Sequence, residues 1–336
     1  MGAPVPPATD AAARRGAARW GFAAAALGAV GVLLRLFEQA AALGQTALTS
    51  DTGALAGIAA AFPIGALLGT PWGLAWAAQL AAFVATAAAL RHAQREERPH
   101  DEPGRSPAEV PAPAAWRLAA LATVGVVATP AWLGHAAADE TSRLLAVAAD
   151  TLHVASAGAW LGTLAVLVGL GIPAIAHAPR PGRTPLLLAL AHAFSPVALV
   201  AVSALGLSGV VSTALRLAPA WPGGLRWPVL GAYGWVLGAK LAAVVPTALL
   251  GLWHWRRAVP RLAAAPPDAI DSPRPTADLD DGPFAALSPS PRRLARSMTA
   301  EVALAALVLL ATALLVATPP PAPPDDAGAT APAAEP

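Results

Sequence analysis

The stretch LLAVAADTLHVASAGAWLGTLAVLVGLG, residues 144–171, decides the fold of this chain. It is long enough to cross a membrane as one helix, because about 20 apolar residues span the hydrocarbon core of a bilayer. Only two of its residues can carry a charge, Asp150 and His153. Such a group costs roughly 2.5–3.5 kcal/mol near the bilayer centre, so it normally faces the interior of a helical bundle.

The composition extends this conclusion to the whole chain. Of 336 residues, 56% are hydrophobic and 12% are charged, whereas soluble proteins carry about 25% charged residues. The absence of cysteine excludes disulfides and thiolate metal sites. The sequence therefore predicts an all-α, polytopic transmembrane helical bundle. Its seven predicted spans are 18–43, 72–91, 116–134, 144–171, 186–214, 229–255 and 298–317.

The segment 53–69 is an eighth candidate span, but it contains Phe62-Pro63 and lies at the short limit for a membrane helix. With seven spans and a cytoplasmic N-terminus, 17 of the 21 arginines fall inside and three fall outside, as the positive-inside rule requires. An extra span would largely reverse this bias. We therefore expect 53–69 to be an outer-surface or re-entrant helix, and we attribute the basic residues to membrane orientation and not to nucleic acid.

The spans and their connections define the domain organisation. The first span has no evident small-residue cleavage site and is expected to remain uncleaved. The predicted parts are a cytoplasmic N-terminal segment 1–17, an N-terminal transmembrane part 18–91, a Pro-rich cytoplasmic linker 92–115, a transmembrane domain 116–317 with a disordered cytoplasmic loop 262–291, and a disordered external tail 318–336.

Asp150 and His153 form the centre of the candidate site. Their i, i+3 spacing places both on one helix face, and Trp160 continues that stripe. His135 lies at the outer end of the preceding span, and Glu140 lies in the short loop between the two spans. Imidazole and carboxylate groups in this arrangement indicate a metal site. The alternative is a histidine hydrogen-bonded within the bundle.

Lys240, the only lysine, lies at a similar depth in the sixth span. Two G-x-x-x-G motifs, at 158–162 and 234–238, predict close helix packing. Such packing would bring Lys240 towards Asp150 and His153, either as a counter-charge at a functional site or as a structural ion pair with Asp150.

In order and spacing, these motifs resemble the bacterial copper resistance protein D family over about residues 115–320. The resemblance rests on GHA at 134–136, D-x-x-H at 150–153, W-x-G at 160–162, and YGWVLGAKLA at 233–242, in which Tyr233 and Gly234 precede Lys240.

The resemblance implies an inner-membrane protein that handles copper on the periplasmic side, without catalysis, in copper import, homeostasis or resistance. It also implies a separate periplasmic chaperone of the copper resistance C type as a partner. The expected metal ligands are His135, Asp150 and His153, and the expected supporting residues are Trp160, Tyr233, Lys240 and Glu140. Copper(I) prefers sulfur, but the chain has no cysteine and only Met1 and Met298, so nitrogen and oxygen ligands are expected.

Two other functions fit a polar membrane bundle. A b-type haem protein for electron transfer would need paired histidines on facing helices at equal depth, and the histidine positions provide no evident pair. A non-transporting membrane subunit that docks a periplasmic copper chaperone would use the polar groups only for structure.

The topology can be tested with single cysteines, because the chain has none of its own. We expect Ser106→Cys, in the 92–115 linker, to be protected from an impermeant maleimide in spheroplasts, and Ala329→Cys, in the tail, to react. The reverse pattern would contradict the predicted topology of seven spans with a cytoplasmic N-terminus.

Overall fold

The computed structural model describes residues 7–47, 64–96, 114–134, 136, 142–177, 180–218, 231–258, 260, 264 and 291–318. Within these ranges the secondary structure is helical and contains no strand, which confirms the predicted fold class. The helices are α1 Pro7–Ala47, α2 Ile64–Leu68, α3 Pro71–Glu96, α4 Ala114–Trp132, α5 Arg143–Val166, α6 Ile172–His177, α7 Arg180–Leu217, α8 Gly231–Trp253 and α9 Pro291–Ala317, with π-helical turns at Leu167–Gly171 and His254–Ala258.

Six helical stretches in the described part of the chain are long and apolar enough to cross a membrane. They correspond to the first six predicted spans and comprise Ala13–Leu43, Pro71–Glu96, Ala114–Trp132, Arg143–Ile175, Pro185–Leu217 and Gly231–Arg257. The seventh predicted span, 298–317, lies on α9. The part of its apolar stretch that the structure describes in full is Ala303–Ala317, so the described residues bear out six of the seven predicted spans and do not test the length of the seventh.

Two predicted connections begin or end differently in the structure. The linker predicted at 92–115 starts later, because α3 continues through Glu96, where His92 Nε2 lies 3.5 Å from Glu96 Oε1. The interval between the fourth and fifth predicted spans is partly helical, since α6 extends to His177 and α7 begins at Arg180. Arg, Glu and Gln are good helix formers, so a loss of hydropathy does not by itself end a helix.

Several predicted segments lie wholly or mostly outside the described residues. Of 53–69, the structure describes α2 and the turn that follows it. The N-terminal segment 1–17 is described from Pro7, where α1 begins. The loop 262–291 and the tail 318–336 are described only at isolated positions.

The chain divides into two compact units, Met1–Ala155 and Ser156–Pro336, with the boundary inside α5. In the first unit, α3 packs against both α1 and α4. Small residues permit this close approach. The side chains of Phe83 and Leu90 on α3 lie over Gly28 and Gly21 on α1, and Ala82 lies over Gly125 on α4.

Hydrogen bonds to backbone carbonyls connect the same helices. Trp76 Nε1 donates to the Val32 carbonyl at 2.7 Å, and Gln94 Nε2 donates to the Ala18 carbonyl at 2.9 Å. Thr70 caps the start of α3, since its hydroxyl accepts from the Gly73 amide at 3.1 Å. The bonds from Trp76 and Gln94 fix α3 against α1 near both ends of α3.

In the second unit, α8 packs against α9. The buried cluster at this contact contains Tyr233, Leu237, Leu217 and Leu315. Gly231, the first residue of α8, has a φ of +51°, a left-handed conformation that glycine adopts without steric cost.

The glycine contacts generate a stability prediction. A methyl group at Gly28 would overlap the Phe83 ring, whereas one at Gly31 would meet no described atom within 4 Å. We expect Gly28→Ala to lower the free energy of unfolding by about 1–3 kcal/mol, as overpacking does. Gly31→Ala, the matched control one turn away, should leave it unchanged or slightly raised.

Thermal unfolding of the purified protein in detergent measures both variants. Equal stability of Gly28→Ala and Gly31→Ala would contradict the packing of Phe83 against α1.

Candidate functional site

Asp150 and His153 lie on an uninterrupted helix, α5, at about 10 Å and 15 Å along its axis from Arg143. Both side chains are half-buried. His153 lies within the buried face of the helix, and Asp150 lies at the edge of that face. The buried residues of the face are Ala146, Ala149, Ser156, Trp160 and Leu164. The structure thus places the two ionisable groups of the span on its inward-facing side.

Ser156 is a polar member of this face that the sequence reasoning missed. Its side chain is 5% exposed, and it follows His153 by three residues and Asp150 by six. The i, i+3, i+6 spacing was available in the sequence and would have identified it. A serine hydroxyl both donates and accepts hydrogen bonds, so this face offers oxygen as well as nitrogen chemistry.

Trp160 lies two turns beyond His153 on the same face and is 9% exposed. The predicted stripe from Asp150 through His153 to Trp160 is therefore the face that α5 buries. A buried indole at this position presents an apolar surface below the polar groups.

His135 and Glu140 lie outside the described residues, although Leu133, Gly134 and Ala136 are described beside His135. Across the described ranges, no group of three or more His, Cys, Asp or Glu side chains could hold a metal ion. Asp150 and His153 form a pair of potential ligands on one helix. Their completion by His135 stays a prediction.

Tyr233 and Lys240 lie seven residues apart on α8 and share its buried face. Tyr233 is 4% exposed and packs against Leu237, Leu217 and Leu315, whereas Lys240 is half-buried. These two residues belong to the second unit, and Asp150 and His153 belong to the first. The predicted approach of Lys240 to the pair on α5 stays a prediction.

The first G-x-x-x-G motif does not behave as its sequence predicts. Gly158 and Gly162 are exposed, and a methyl group at either would meet no described atom within 4 Å. The close packing expected there is therefore wrong for the described residues. In the second motif, Gly234 is buried.

Part of the second unit matches a known protein family. Residues 188–315 match the family model described as copper resistance protein D. These residues belong to the copper resistance protein D family. No curated protein and no solved structure matches the chain.

The copper resistance protein D segment covers most of α7, all of α8 and most of α9. It confirms the family resemblance over part of the stretch on which the sequence suggested it. Tyr233 and Lys240 lie inside the matched segment, and His135, Asp150, His153 and Trp160 precede it. Over these residues the chain is related to copper-resistance membrane proteins.

The packing of Tyr233 gives a testable prediction for the copper resistance protein D segment. Tyr233→Ala should lower the free energy of unfolding by about 3–5 kcal/mol, because it leaves a cavity among Leu217, Leu237 and Leu315. Tyr233→Phe preserves the ring and should stay within about 1 kcal/mol of the wild type.

Both changes are measured by thermal unfolding in detergent. If Tyr233→Phe were as unstable as Tyr233→Ala, the hydroxyl and not the ring packing would be the important group.

Proposed function

We propose that this protein accepts copper at the periplasmic face of the bacterial inner membrane and passes it inward. Copper is the cargo, and no catalytic step is involved. The proposed first ligands are His135 and His153, with Asp150 as a third ligand or as the group that fixes the His153 tautomer. Membership of residues 188–315 in the copper resistance protein D family supports copper as the metal.

The observation that carries this proposal is the position of Asp150 and His153 on the buried face of α5. A carboxylate and an imidazole are costly in hydrocarbon, and a position on or at the edge of the buried face reduces the contact of both with lipid. Neutral imidazole is a good copper ligand, and a carboxylate close to it raises its basicity. A nitrogen and oxygen site of this kind suits copper(II) or a transient transfer of copper(I).

The surrounding residues have supporting roles in this proposal. Lys240 is the proposed positive counter-charge that prevents permanent trapping of the cation. Trp160 and Tyr233 shape the apolar surroundings of the path, and Glu140 attracts the cation at the outer rim. Each role follows from the chemistry of the side chain.

The orientation rests on the distribution of arginines. Arg91 and Arg95 near the end of α3, Arg117 near the start of α4, and Arg256 and Arg257 after α8 all belong to the predicted cytoplasmic side. This orientation makes the N-terminus cytoplasmic and the C-terminus periplasmic. A periplasmic chaperone of the copper resistance C type would then deliver copper to His135.

Copper binding by the purified full-length protein tests the ligand assignment. We expect His153→Ala and His135→Ala each to weaken binding by about tenfold or more, because each removes a ligand. His192→Ala is the matched control, since His192 is an exposed histidine on α7, and its copper affinity should equal that of the wild type. Cellular copper accumulation should follow the same order.

Wild-type affinity and wild-type accumulation in both ligand variants would refute the assignment. A Soret band in the purified protein would favour the haem alternative. Binding of a periplasmic partner by an Asp150/His153 double variant with unchanged metal content would favour the docking subunit.

A further inference from the structure

Three arginines lie at one end of the first unit, near the start of the apolar stretch of α1 and the end of α3. Arg19 belongs to α1, and Arg91 and Arg95 belong to α3. All three side chains are exposed. The positive-inside rule accounts for the number of basic residues on one side of a membrane, but it does not determine which of them lie together on neighbouring helices.

Two contacts fix the level of Arg19 relative to α3. Gln94 Nε2 donates to the Ala18 carbonyl at 2.9 Å, and Leu90 Cδ1 lies 2.8 Å from the position that a methyl group at Gly21 would take. The two helices are therefore antiparallel, with Ala18 beside Gln94 and Gly21 beside Leu90. Arg19, which lies between the two contacts on α1, is level with the segment of α3 between them.

Arg91 shows on which side of the helix pair the three charges lie. Its guanidinium carbon lies 5.6 Å from the centroid of the Phe22 ring on α1, a cation–π contact that reaches from α3 to α1. Arg19 precedes Phe22 by three residues and Arg95 follows Arg91 by four, and both spacings keep side chains on one helix face. The three guanidinium groups therefore border the same flank of the α1–α3 pair.

The carboxylate of Glu96 is directed away from this flank. Glu96 Oε1 lies 3.5 Å from His92 Nε2. His92 directly follows Arg91 and Glu96 directly follows Arg95, and each residue of an α-helix turns by about 100° from the one before it. The contact between His92 and Glu96 therefore lies on the next side of α3, and the flank that carries the arginines keeps its positive charge.

The same flank is apolar where it continues into the membrane stretch. Val84 precedes Arg91 by seven residues, about two turns, and is 54% exposed. Leu33 follows Phe22 by eleven residues, about three turns, and is 41% exposed. Exposed apolar side chains thus lead from the guanidinium groups towards the centre of the bilayer. Cations beside such a surface are complementary to a lipid with an anionic headgroup.

We propose that Arg19, Arg91 and Arg95 form a binding site for the headgroup phosphate of an acidic phospholipid. Guanidinium groups can donate two parallel hydrogen bonds to phosphate oxygens, and basic pockets between membrane helices bind anionic headgroups. The acyl chains would lie against the surface that contains Val84 and Leu33. The site uses none of the proposed copper ligands, so it goes beyond the proposed function.

Binding of phosphatidylglycerol to the purified full-length protein in detergent tests the site. Native mass spectrometry measures the affinity, and phosphatidylcholine is the neutral lipid for comparison. We expect the wild type to prefer phosphatidylglycerol. Arg19→Gln, Arg91→Gln and Arg95→Gln should each lower the affinity for phosphatidylglycerol about fivefold, the contribution of one basic residue beside anionic lipid. Their affinity for phosphatidylcholine should equal that of the wild type.

Arg117→Gln is the matched control. Arg117 is an exposed arginine near the start of α4, and it lies two residues from both Ala115 and Ala119, which are buried. Arg117 is therefore on the side of α4 opposite to its buried face. The substitution changes the net charge as the other three do, but the affinity for phosphatidylglycerol should stay at the wild-type value.

Arg91→Lys separates charge from the rest of the side chain. Lysine retains the positive charge, so this variant should lose less affinity than Arg91→Gln. If a change at Arg91 prevents folding, the exposed positions Arg19 and Arg95 carry the test.

Four results would overturn the inference. The first is equal binding of the two lipids by the wild type, and the second is wild-type affinity in all the folded flank variants. The third is an equal loss of affinity in Arg117→Gln, which would show a general effect of net charge. The fourth is displacement of phosphatidylglycerol by an equal concentration of inorganic phosphate, which would assign the site to a soluble anion.

Discussion

The cost of an unsatisfied polar group in hydrocarbon is the constraint on which the rest of this structure depends. Short hydroxyl side chains meet it locally, as Thr86, Ser208 and Thr247 do by donating to the carbonyl four residues earlier. Arg35 and Gln94 meet it by reaching a carbonyl of a different helix or its end. Asp150 and His153 meet it through their position on the inward side of α5. The same constraint thus determines which side of each helix faces inward, and it gathers the polar side chains on that side, where we propose that copper binds.

The proposed copper chemistry combines two parts of the chain. The copper resistance protein D segment supplies the family relationship and contains Lys240 on the buried face of α8. The proposed nitrogen and oxygen ligands come from α5 and from the residues that follow α4, before that segment begins. A protein that passes copper on must bind it loosely enough to release it. Imidazole and carboxylate ligands suit this requirement better than thiolate, and this chain has no cysteine.

Much of the fold could be predicted because hydropathy and helical periodicity are local properties. The run 144–171 predicted a span, and the spacing of Asp150, His153 and Trp160 predicted the buried face of α5. Contacts between distant residues could not be predicted, such as Arg35 with Leu133 or Phe83 with Gly28. The exposed pair Gly158 and Gly162 shows that a packing motif does not specify its partner. The continuation of α3 to Glu96 shows that polar residues can extend a helix beyond its apolar stretch.

We propose that copper binds to imidazole and carboxylate groups that lie below the outer rim of the bundle. X-ray absorption at the copper edge of the purified, copper-loaded full-length protein tests it most directly. We predict a first shell of nitrogen and oxygen with the outer-shell scattering of at least one imidazole, and this imidazole contribution should fall in His153→Ala. A sulfur ligand, or a first shell without imidazole in the wild type, would contradict the claim.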